Sequence, residues 1–82
     1  MNDYYRKRSE IEWKDFIHSN FEKPSACRNL EQIRYYIHEI THRIAAEKKV
    51  NGYVPDWAYT ILAQYNEAQN KILLADFMKT YA

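Results

Sequence analysis

Residues 29–52, NLEQIRYYIHEITHRIAAEKKVNG, decide the fold. Leu30, Ile33, Ile37, Ile40 and Ile44 step by three, four, three and four, the spacing of a helical seam packed against another helix. Asn29 is a capping residue with Gln32 three positions on. Glu39 and Arg43 stand at the i,i+4 spacing of a favourable ion pair. Lys48 and Lys49 complement the negative end of the helix dipole, and Asn51-Gly52 supplies a left-handed stop. Start, stripe and stop together predict a helix over 26–49, entered at Ser25 or capped by Asn29.

Working outward, Pro55 and Asp56 suit the first turn of a following helix over 55–80. Ala58, Ile61, Tyr65, Ala68, Ile72 and Ala75 repeat the three-four step, and from Ile72 onward Leu73, Leu74, Phe77, Met78 and Tyr81 spread the apolar surface round the helix. Upstream, Ser9 followed by Glu12 reads as a capping box opening a helix over 9–22, with Trp13, Phe16, Ile17 and Phe21 near one face. Pro24 disfavours helical geometry in the residue before it and so ends that helix. Residues 1–8 read as a basic, aromatic arm.

One glycine and two prolines cannot furnish the repeated turns of a sheet, so the chain reads as all-α. The expected architecture is one domain over 1–82, a small three-helix bundle. Helices 2 and 3 form a long antiparallel hairpin, and a shorter N-terminal helix packs across it. No apolar run approaches the length of a membrane span, and the amino terminus lacks the apolar core of a secretory signal. A single cysteine, Cys27, excludes an internal disulfide and a multi-cysteine zinc site, and it fits a reducing, cytoplasmic setting.

The main functional expectation comes from a mismatch of lengths. Helix 1 is too short to cover both partners, while the end of helix 3 is apolar on most sides and asks to be buried. Either helix 1 crosses that end, or another protein or a second copy of this chain covers it. Leu74, Phe77, Met78 and Tyr81 are therefore candidate partner-binding residues. Tyr35 and Tyr59 join them, because each is turned away from its helix's apolar stripe. The expected function is that of a small non-enzymatic regulatory or adaptor protein without a required cofactor.

Residues 38–42, His-Glu-Ile-Thr-His, form the one motif with specific chemistry attached. Histidines at i and i+4 sit one above the other on a helix and can share a metal ion. The motif resembles the HExxH signature of zinc-dependent peptidases. That resemblance implies His38 and His42 as zinc ligands, Glu39 as general base and Glu67 as third ligand, hence a zinc-dependent hydrolase as an alternative function. Without metal, the same residues are two solvent-facing histidines beside a Glu39–Arg43 pair.

Charge points to no nucleic-acid partner. Twelve basic residues against eleven acidic ones leave +1, spread evenly along the chain. The one basic cluster, Arg6, Lys7 and Arg8 beside Tyr4 and Tyr5, could grip phosphates and stack on bases, which keeps a nucleic-acid-binding domain as a second alternative.

Overall fold

A computed structural model describes residues 2–81, with the side chains of residues 4–79. It contains three helices, α1 (Asn2–Asn20), α2 (Leu30–Asn51) and α3 (Asp56–Tyr81), with one 3-10 turn over Pro24–Ala26 and no strand among the described residues. The all-α class is therefore as expected, with α2 and α3 packed as a pair and α1 the shortest helix.

The ends of α2 follow the sequence signals closely. The Asn29 side-chain oxygen accepts the Gln32 N–H at 3.2 Å. Gly52, at φ 70°, donates its N–H to the Lys48 carbonyl at 2.9 Å, and its left-handed backbone is the conformation glycine adopts without strain. The helix nevertheless begins at Leu30 rather than at 26. Ala26 N–H closes a tight turn on the Lys23 carbonyl at 2.9 Å, and Cys27 is extended, so the segment after Pro24 is a separate turn.

α1 departs further from expectation, because it begins at Asn2 and not at Ser9. Nothing between residues 2 and 8 breaks a helix, and Arg8 holds Glu12 at 3.2 Å, one turn along the same face. Glu10 and Lys14 pair likewise at 3.6 Å. Residues 2–8 of the expected arm are thus the first two turns of α1.

Trp13 and Ile17 of α1, Ile33, Tyr36, Ile40 and Ile44 of α2, and Ala58, Ile61 and Tyr65 of α3 form one core with Cys27 and Val54. Phe21 stacks on Tyr36 with ring centres 4.5 Å apart and meets Tyr65 edge-on. The Tyr65 hydroxyl donates to the Glu22 carbonyl, and the Tyr36 hydroxyl accepts the Glu22 N–H at 3.4 Å. Two buried tyrosines thereby fasten the linker after α1 to the α2–α3 hairpin.

Arg6 of α1 lies over the ring of Tyr53 in the loop before α3, Lys14 and His18 meet Trp57 in the first turn of α3, and Phe21, just past α1, meets Tyr65. α1 therefore runs alongside the first half of α3 and ends before the second. The molecule is 56 Å long, against about 39 Å for 26 helical residues. Helices project beyond the shared core, and the last turns of α3 are beyond the reach of α1.

Candidate functional site

α3 carries two seams. The first, Ala58, Ile61, Tyr65, Ala68 and Ile72, steps 3, 4, 3, 4 and faces the core, buried at its start and half-buried by Ala68 and Ile72. The second, Tyr59, Ala63, Asn66, Asn70, Leu73 and Phe77, steps 4, 3, 4, 3, 4, and every one of its residues is exposed. At about 100° per residue the two seams point roughly 140–160° apart.

Past Ile72 the apolar side chains change sides. Leu74 is 61% exposed, Phe77 57%, Met78 56% and Leu73 39%, whereas the core-facing positions of the last turns are Asp76 and Lys79. The tail that looks apolar all round in sequence is a stripe that has rotated outward. α1 does not cross it. Tyr81, also expected here, has its side chain outside the described residues.

The second seam carries no charge over its six positions, although a solvent-facing helix surface is ordinarily charged. Sequence reading singles out Tyr59, Leu74, Phe77 and Met78 and places Leu73 in the apolar tail, but passes over Ala63, Asn66 and Asn70, which complete the spacing. Tyr59 shares a helical direction with Phe77 and precedes it by 18 residues, about 27 Å of helix. Tyr35 is exposed on α2, and hydrogen bonding to Glu39, with the charge of that carboxylate behind it, raises the phenol above its ordinary pKa.

Beside the core-facing seam, the end of α1, the linker and α3 enclose an open groove of about 900 Å³. Ile17, Phe21, Trp57, Ile61 and Ile72 give it an apolar floor, with Lys23, Arg28 and Lys71 at its edge.

The peptidase-like motif is helical but does not form the expected zinc set. His38 and His42 are both exposed, with ring centres 5.7 Å apart. Glu67 pairs with Lys71 at 3.7 Å on an exposed face of α3. No group of three or more His, Cys, Asp or Glu side chains that could hold a metal ion occurs among the described residues. A catalytic zinc needs three protein ligands and one open position. The expected Glu39–Arg43 pair is also replaced. Arg43 bonds Glu47 at 3.3 Å and spreads over the Phe16 and Trp13 rings, drawn inward by α1.

Arg6, Lys7 and Arg8 do not form one basic patch. Successive helical residues diverge by about 100°. Arg6 packs over Tyr53 and Arg8 bonds Glu12, leaving Lys7 on a third side. No helix among the described residues is long and apolar enough to cross a membrane. No protein-family model, curated protein or solved structure matches the chain.

Proposed function

We propose that this chain is a small non-enzymatic regulatory or adaptor protein that docks a helix of another protein along the outer seam of α3. The observation that carries the proposal is the uncharged, exposed seam from Tyr59 to Phe77, flanked by Leu74 and Met78 and turned away from the core. Its spacing is the one helices use to pack on one another, and its aromatic ends are typical interface anchors. A cytoplasmic setting belongs to the proposal, since Cys27 is a buried free thiol.

Magnitudes favour use of the whole seam. Burying the exposed half of Leu74, Phe77 and Met78 would contribute about 1 kcal/mol each. Association costs roughly 4–15 kcal/mol in lost freedom. The tail alone holds no partner firmly, and Tyr59, Ala63 and the amides of Asn66 and Asn70 must contribute.

The double variant Leu74→Asp, Met78→Asp tests the reading. Both side chains are exposed, so the melting transition should shift by no more than about 0.5 kcal/mol. Sedimentation of the purified chain, and capture from host extract with wild type and variant side by side, should then show one specific association lost in the variant. Identical captured proteins and identical sedimentation would refute the docking surface. A stability loss above about 2 kcal/mol would show instead that the tail is core.

A further inference from the structure

We propose that His38 and His42 form a two-point chelate for a borderline transition-metal dication, Cu²⁺ above all, on the solvent face of α2. The two imidazoles lie one turn apart on a continuous helix, both exposed, with ring centres 5.7 Å apart and planes inclined by 42°. Two imidazoles bound cis to one tetragonal Cu²⁺ through nitrogens at about 2.0 Å have ring centres roughly 4.5 Å apart. Rotation of two surface side chains closes the remaining gap of about 1 Å.

The surroundings leave that space open. Ala45 and Ala46 occupy the following turn and present only methyl groups beside His42. Two imidazoles make neither a closed structural zinc site nor a three-ligand catalytic one, and the other coordination positions belong to water or to a donor from another molecule. Imidazole suits copper, nickel and zinc, and within such a site affinity peaks at Cu²⁺. The ion ties together residues that are neighbours only while α2 is helical, so binding favours the folded chain.

Isothermal titration and thermal unfolding of the full chain with CuCl₂, ZnCl₂ or MgCl₂ test this. One Cu²⁺ per chain is expected, with weaker Zn²⁺ and no Mg²⁺ binding. Free Cu²⁺ at about one hundred times its dissociation constant moves the folding equilibrium about a hundredfold, raising the melting midpoint by roughly 10–20 °C. Electron paramagnetic resonance should count two nitrogen ligands. His38→Asn and His42→Asn should each leave the metal-free melting curve unchanged while removing most of the Cu²⁺-dependent rise, and His18→Asn should leave that rise intact. Absence of Cu²⁺ binding, binding without a rise in melting temperature, or a rise that survives both substitutions would overturn the proposal.

Discussion

Replacing Tyr65 by phenylalanine isolates one hydroxyl at the point where three segments meet. The ring is fully buried, so phenylalanine fills the same space and leaves no cavity. What disappears is the donor to the Glu22 carbonyl. A hydrogen bond of this kind contributes about 0.5–1.5 kcal/mol net, and a buried acceptor left without a partner costs about 1–3 kcal/mol. Glu22 is exposed as a residue and the bond only part-buried, so water can reach the abandoned carbonyl in part. The expected loss is therefore about 1–2 kcal/mol, which for a domain of this size lowers the melting midpoint by roughly 5–15 °C. Urea unfolding followed by circular dichroism should show a lower midpoint with an unchanged slope. A loss below about 0.3 kcal/mol would refute the linker clamp, and one above about 4 kcal/mol would mean that ring packing, not the hydroxyl, had been disturbed.

Alkaline pH tests the same hydroxyl with a definite sign. Burial raises the Tyr65 phenol above its ordinary value, helped by negative charge at Cys27, Tyr36 and Glu22. A raised folded-state value means that the neutral phenol contributes its full stability below the unfolded value near 10 and loses it as pH rises further. Cys27 acts in the same direction, its thiol raised by burial and by Glu22. Wild type should lose stability above about pH 10, and the gap between wild type and Tyr65→Phe should narrow over the same range. A gap that stays constant up to about pH 12 would remove Tyr65 from the account.

Gly52→Ala meets no atom within 4 Å, so only the left-handed backbone is penalised and a loss of about 1–2 kcal/mol is expected in urea unfolding. Ile40→Ala should cost about 2–5 kcal/mol because the side chain is completely enclosed, whereas Leu74→Ala should cost less than about 0.5 kcal/mol. Equal losses at these two positions would contradict the placement of Leu74 outside the core that encloses Ile40.

The helices were legible because their signals are local. Asn29, the isoleucine seam and Gly52 each act within a turn of their own position, and the structure places a cap, a buried stripe and a left-handed stop there. The beginning of α1 was misread for the opposite reason. A serine three residues before a glutamate resembles a cap only if the preceding residues are not helical, and Arg8 draws Glu12 into a pair inside a helix already under way. Tyr36, three residues after Ile33 and four before Ile40, stands on the buried face of α2 and is fixed there by its stack on Phe21 and its bond to the Glu22 peptide, which depend on a linker whose path no spacing encodes. The outward seam was half legible: its large apolar residues stood out, but Ala63, Asn66 and Asn70 acquire meaning only once the core direction of α3 is fixed.

That direction also explains how an exposed apolar tail can remain helical. Isolated helices shorter than about 12–15 residues are marginal in water, because the first turn is costly to nucleate. In α3 the nucleus lies in Asp56–Ile72, where Ala58, Ile61 and Tyr65 are buried against the rest of the core. The following turns need only propagation, which adds a hydrogen bond for each residue fixed. The residues that secure the helix and those that it displays are consequently different. A partner docking on Leu74, Phe77 and Met78 meets a surface already ordered, so less of its binding energy is lost to ordering the chain. Substitutions on that surface should therefore act on association while leaving the fold intact.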